Sequence, residues 1–146
     1  MLFEKNVYAG LDVGDRRVGI SFSDALNITA QPYDVYRRKD NKADIAYFQK
    51  LFAEKGVIAL VAGIPLNMNG TEGSQAEKAK AFAEMIASAT QLELFLVDER
   101  LTSSAAERLM IDADISRKKR SAKVDVLAAV MILQSFMDRK NREKNP

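Results

Sequence analysis

Residues 57–62, VIALVA, have no polar face. A strand that is apolar on both sides has to be covered on both sides, which is the situation of an interior parallel strand with helices packed above and below it. LELFLV, residues 92–97, reads as a second buried strand. Residues 7–22 behave differently. Val7, Ala9, Leu11 and Val13 alternate along a first strand, and after the turn GDRR the pattern resumes at Val18, Ile20 and Phe22, as in a hairpin. Residues 28–37 continue the meander as a third strand, with Pro32 marking an edge or a bend.

Between Lys42 and Lys55 the apolar residues Ile45, Phe48, Leu51 and Phe52 take helical spacing, and Gly56 follows where helix C-termini favour glycine. A loop over 65–73 leads to Ser74 and Glu77, spaced as a capping box, and Ser104 with Glu107 repeats that signature for a helix reaching about Ile111. The last helix is expected over Ala122–Asp138, preceded by the basic stretch SRKKRSAK. Three antiparallel strands followed by alternating helices and strands make an α/β domain with a mixed sheet. Residues 1–138 form that domain, and 139–146 a charged, mobile tail.

Two absences narrow the chemistry. The chain has no cysteine and no histidine, which removes thiolate nucleophiles, Ser-His-Asp triads and imidazole metal sites. Catalysis here has to come from carboxylates, Lys, Arg, hydroxyls or a borrowed metal, and clustered carboxylates suit hard cations such as Mg²⁺ or Mn²⁺. The net charge of +2 argues neither for nor against nucleic acid. No run suggests a membrane span, and MLFEKN lacks the features of a signal peptide; a cytoplasmic protein without a membrane partner is expected.

The acids supply candidates. Asp12 interrupts an apolar strand between Gly10 and Gly14. Asp98 and Glu99 leave the second buried strand at its carboxyl end, where ligands gather in open α/β sheets. Asp125 lies in the first turn of the expected last helix, on the side of Ala128, Ala129 and Ile132. If Val13 pairs with Val18, Asp12 faces Gly19 and Gly10 faces Ser21, leaving open space above the sheet for a backbone phosphate. Converging carboxylates repel, and one must hold a proton unless a cation intervenes; two divalent ions ~3.5–4 Å apart can polarise a phosphodiester and activate water. Each acid also has an ordinary explanation, as a turn former, a strand-end charge or a complement to a helix N-terminus. Their order and placement together favour the functional one.

Basic residues flank these positions: Arg16 and Arg17 in the hairpin turn, Arg100 after the acid pair, and Lys118, Lys119, Arg120 and Lys123 ahead of Asp125. Such residues give sequence-independent, salt-sensitive affinity for phosphates. Asn67, Asn69 and Thr71 in the loop PLNMNGTEGS are candidates for bonding RNA or its sugar, with a plain surface turn as the alternative.

GLDVGDRRVGISFSD, VAGIPLNMNGTEGSQAEKAKAF, VDERLTSSAAERLM and KVDVLAAVMILQSFMD together resemble the signature blocks of the YqgF/RuvX family. The resemblance implies an α/β, ribonuclease H-like fold related to Holliday junction resolvases: a mixed five-stranded sheet, three antiparallel strands then two parallel, with helices on both faces. It implies a metal-dependent nuclease that processes the 5′ end of the precursor of 16S ribosomal RNA, with branched-DNA resolution as the runner-up. The family's acids fall on Asp12, Glu99 and Asp125, with Asp98 as alternate ligand, around two Mg²⁺ or Mn²⁺ ions. Precursor rRNA, branched DNA or a pre-ribosomal particle are the expected partners, of a monomer or a homodimer. A non-catalytic nucleic-acid or nucleotide-binding module is the rival of another class.

Overall fold

The computed structural model describes residues 6–67, 69–99 and 117–144, with the side chains of 117–124 and 144 excepted. Its elements are β1 (Val7–Val13), β2 (Arg17–Ser23), β3 (Ala30–Arg37), α1 (Asn41–Lys55), β4 (Val57–Ile64), α2 (Ser74–Thr90), β5 (Glu93–Asp98) and α3 (Arg117–Lys144). The strands form one sheet in the order β3-β2-β1-β4-β5. β1, β2 and β3 pair antiparallel, and β1, β4 and β5 run parallel. This is the expected mixed sheet, and its hairpin register is the expected one, with Val13 opposite Val18, Asp12 opposite Gly19 and Gly10 opposite Ser21.

The two-faced apolarity of β4 has its cause in the layers around it. Leu60 and Ala62 join Phe48, Phe52, Phe82 and Ile86 of α1 and α2 in one core. Ala59 and Val61 meet Ile132, Leu133 and Met137 of α3 on the opposite face. β5 departs from expectation. It lies at the edge of the described sheet, with Glu93 exposed and Leu96 39% exposed, because it pairs with β4 alone among the described residues. β3 is the other edge, and Pro32 sits at a register shift that leaves Tyr33 without an opposite residue, as an edge proline allows.

The helix ends follow local chemistry, with corrections. Asp40 caps α1 by accepting from the Ala43 N–H at 2.8 Å, and Gly56 ends it in the left-handed region at φ 68°. Ser74 does not form a capping box. It is the first residue of α2, and the cap is Gly73, extended and without a side-chain bond. The Asn67 carboxamide occupies the space where a Gly73 Cβ would be, its Oδ1 3.1 Å away. α3 starts at Arg117 rather than Ala122, so the basic run is helical; Lys and Arg are good helix formers and nothing in SRKKRSAK breaks a helix. It also continues past Asp138, taking in residues 139–144 of the expected tail. Lys140 lies over the rings of Tyr8, Phe95 and Phe136, and Asn141 donates to the Asn27 carbonyl, contacts that hold the added turns. The helix expected over 104–111 lies outside the described residues.

A buried Tyr36–Asp44 bond of 2.6 Å ties β3 to the start of α1, and Asp44 also accepts from the Lys39 N–H. Burial first, then the adjacent Asp44, holds the Tyr36 phenol far above its usual range. This clamp fixes the chain on both sides of Arg37 and Arg38, which lie beside the hairpin turn.

On the other face the decisive feature is how closely α3 approaches β1, β2 and β4. A Cβ on Gly19 would collide with the Asp125 carbonyl. One on Gly10 would meet the Ala129 carbonyl oxygen and the Leu133 Cβ, each at 2.8 Å. One on Gly63 would strike the Ile132 side chain. The buried Ser21 hydroxyl donates to the Ala129 carbonyl at 2.8 Å, a bond that only so close a helix can accept. The space expected above the hairpin for a phosphate is therefore filled by α3. Gly19→Ala is expected to destabilise the fold by about 1–3 kcal/mol through overpacking, because the opposing atoms are backbone and cannot rotate away. Urea unfolding checks this, and unchanged stability would show that α3 does not press on β2 as described.

Candidate active site

The glycines that admit α3 also assemble the acids. Asp12 faces the α3 side of β1, opposite Gly19, and Gly19 lies directly beneath the Asp125 backbone. Asp125 is thereby set beside Asp12. On the other flank, Leu11 pairs with Ala62, so the next step up the parallel strands brings Asp12 next to Gly63. The Glu99 carboxylate folds back over this glycine, its Oε2 3.2 Å from where a Cβ would stand. Glu99 is only 7% exposed, an unusual depth for a glutamate. Asp98, the alternate, pairs with Ile64 at the end of β5 and is half-buried.

The Asp12 and Glu99 carboxyl groups stand within hydrogen-bonding reach of each other. Asp12 keeps some solvent contact but is enclosed by protein on most sides. This desolvation, then the bond to Glu99 and its charge, then the charge of Asp125, hold the Asp12 carboxyl well above the usual carboxylate range. Asp125 is also raised, first by burial; the Arg17 guanidinium opposes the shift and Glu99 adds to it. Arg17 Nε stands 3.1 Å from Asp125 Oδ2, both side chains half-buried.

Two neighbouring carboxyl groups shielded from water are an oxygen-only donor pair whose repulsion a hard divalent cation would relieve. The donor chemistry thus fits Mg²⁺ or Mn²⁺. Among the described residues no three Asp or Glu side chains already stand in ligand geometry; the third acid is engaged by Arg17 instead.

The basic and polar candidates divide. Arg16 and Arg17 line an open cleft of about 340 Å³ with Gly14, Asp15, Arg37 and Asp125. Arg37 escaped the sequence reading, although a third strand antiparallel to β2 was enough to bring it opposite Arg17. Lys118, Lys119, Arg120 and Lys123 lie on α3 ahead of Asp125, their side chains outside the described residues, as is Arg100. Asn67, Asn69 and Thr71 bond one another. The Asn67 Nδ2 donates to Thr71 Oγ1, while the Thr71 hydroxyl and N–H both donate to Asn69 Oδ1. In this state their side chains shape the turn itself.

The same architecture is found in solved resolvases. The chain superposes on Thermus thermophilus RuvC, solved in complex with a Holliday junction substrate, with a TM-score of 0.56 at 16% identity over 92% of this chain and 95% of that one. A Fowlpox virus resolvase bound to substrate Holliday junction DNA gives 0.58 at 8% identity over 92% and 98%. Fold and sheet topology define a domain of the ribonuclease H-like fold, the fold of these two proteins. Within that class the chain belongs to the RuvX family, whose model, described as Holliday junction resolvase, matches residues 6–139. A relative from Syntrophomonas wolfei, named "Putative pre-16S rRNA nuclease", is 45% identical over 88% of this chain and 92% of its own. One from Listeria monocytogenes with the same name is 48% identical over 90% and 97%.

The raised Asp12 value fixes the sign of a stability effect. Folded Asp12 binds its proton more tightly than the unfolded chain does, so its contribution to stability is complete below the ordinary carboxylate value. That contribution is lost as pH rises through the raised one. In the absence of divalent ions, Asp12→Asn should therefore melt close to the parent near about pH 4 and increasingly above it towards neutrality. Calorimetric melting across that interval in EDTA checks this; parallel curves would show that Asp12 is not under charge stress.

Proposed function

We propose that this protein is a divalent-metal-dependent nuclease acting on the precursor of 16S ribosomal RNA in the maturation of its 5′ end. The observation that carries the reading is the adjacent placement of Asp12 and the buried Glu99 with Asp125 beside them. A fold gains nothing in stability from such a cluster, since buried like charges cost free energy unless something neutralises them. The substrate assignment is supported by relatives that match this chain over nearly its full length and carry the pre-16S rRNA nuclease name. The cytoplasm, where precursor rRNA is assembled into pre-ribosomal particles, is the place of action on this reading.

Asp12 and Glu99 would hold Mg²⁺ or Mn²⁺, with Asp125 completing the set and Asp98 at hand beside Glu99. When bound, the metal supplies charge neutralisation on the scissile phosphate and an acidified water. The protein groups do the rest. Asp12 and Glu99 would present carboxylate oxygens to the cation from neighbouring strands. The walls of α3, β1 and β4 limit bulk water around the carboxylates, which strengthens every charge interaction there. Arginines of the hairpin turn and the basic first turns of α3 hold the polyanion through its phosphates, independent of base sequence.

The test is cleavage of matched labelled substrates in Mg²⁺ or Mn²⁺: a precursor 16S fragment, its isolated single-stranded segment and a four-way DNA junction. Selective cleavage of the rRNA fragment, abolished in Asp12→Asn with oligonucleotide binding retained, is expected. An Asp12→Asn protein that cuts as fast as its parent would place the catalytic centre elsewhere. Preferred cutting of the junction would reassign the substrate. Replacing Lys118, Lys119 and Arg120 together should weaken binding and lower its log–log salt slope by about 0.7 for each phosphate left unneutralised; an unchanged slope would take them off the substrate path.

A further inference from the structure

The cleft beside the carboxylates has a composition that the fold does not require. Arg17 and Arg37 face each other directly across the β2–β3 pair, an arrangement of like charges that weakens a sheet, and Arg16 joins them in the lining. The backbone holding them is tightly braced. The Gly14 N–H donates to the Arg17 carbonyl, the Arg38 N–H donates to the Arg16 carbonyl, and the Arg38 guanidinium donates to the Gly14 carbonyl, each at 2.8 Å. Against three guanidinium groups the described lining sets two acids, Asp15 and Asp125. Asp15 makes a long contact of 3.5 Å with the Gln75 amide, and Asp125 is paired with Arg17. The cleft carries an excess of one positive charge, which becomes two if Asp125 is withdrawn to a cation. A phosphodiester has the negative charge and the pair of non-bridging oxygens that the planar guanidinium fork binds best.

Asp125 lines this cleft and stands beside the other carboxylates, and within the cleft its partner is Arg17. We propose that the cleft of Arg16, Arg17 and Arg37 seats a backbone phosphate of the substrate, and that Arg17, in passing from Asp125 to this phosphate, releases Asp125 to the cation site of Asp12 and Glu99. Arg17 is then a positioning residue that makes completion of the site depend on occupancy by nucleic acid. The inference rests on the nuclease reading above and deepens it. By linkage, metal and oligonucleotide must strengthen each other's binding.

The test separates Arg17 from its neighbour by effects of opposite sign. Mn²⁺ affinity is measured by isothermal titration on the full chain without nucleic acid, and affinity for a short single-stranded RNA by fluorescence anisotropy in EDTA. Arg17→Gln should bind Mn²⁺ several-fold more tightly, because the cation competing for Asp125 is gone, and should bind RNA several-fold more weakly. Arg37→Gln should weaken RNA binding alike and leave Mn²⁺ affinity unchanged. In the parent, a non-cleavable phosphorothioate RNA should tighten Mn²⁺, a coupling abolished in Arg17→Gln. Mn²⁺ affinity that is unchanged or reduced in Arg17→Gln, or RNA binding indifferent to both substitutions, overturns the proposal while leaving the nuclease reading intact. A parent protein that takes up neither Mn²⁺ nor RNA overturns both.

Discussion

The close packing of α3 on the sheet is the constraint from which the rest follows. Gly10, Gly19 and Gly63 remove the Cβ atoms that would otherwise stand between the helix and strands β1, β2 and β4, and Ser21 bonds the helix backbone across the gap so created. One consequence is energetic. β1 and β4 become buried on both faces, and a chain of this size gains a second core around Val61, Ile132, Leu133 and Met137. The other is chemical. The helix carries Asp125 to the β1–β2 hairpin, directly above the residue paired with Asp12, and Gly63 opens the place into which Glu99 turns.

Those two consequences pull against each other. The packing that stabilises the domain also strips water from carboxylates that repel, and burial with the neighbouring Glu99 pushes the Asp12 carboxyl above its usual range. Arg17 answers for Asp125, which it holds at 3.1 Å. These are two different solutions to the same problem, and they leave the site in unequal halves. One half, Asp12 with Glu99, is a carboxyl pair whose repulsion a divalent cation would relieve. The other is neutralised by a fixed side chain, which only another anion can draw away.

Much of this arrangement is legible in the sequence. The alternation over residues 7–22 sets the hairpin and its register correctly, because strand parity leaves no freedom once one face must be apolar. The two-faced apolarity of 57–62 identifies an interior parallel strand. The three acids are recognisable because each interrupts an apolar pattern at a strand end or on a helix. The errors have a common origin. Gly10 and Gly19 read as space for a ligand, whereas the space belongs to α3, and nothing local distinguishes a glycine vacated for substrate from one vacated for a helix backbone. LELFLV reads as buried by composition alone, but burial depends on strand order, which composition does not carry. The long extent of α3 is hidden from the sequence because its end is held by Lys140 over aromatic rings and by Asn141 reaching the turn after β2. Asn141 and its partner Asn27 lie more than a hundred positions apart along the chain. The pairing of Arg17 with Asp125 is of the same kind.

The hairpin turn explains why charge recognition and chemistry are inseparable in this design. β1 ends in Asp12 and Val13, and within four residues β2 begins at Arg17. A turn so short cannot move its arginines away from the carboxylates, and the bonds from Arg38 to Gly14 and to Arg16 deny it flexibility. On the reading proposed above, a phosphate held by Arg16, Arg17 or Arg37 would lie next to Asp125, which lines the same cleft. A more distant basic patch would add affinity without orientation. In the proposed mode the same short segment would supply both, presenting a phosphate chain to the carboxylates in a limited set of positions, which is how a binding contact contributes to the rate of a bond-breaking step.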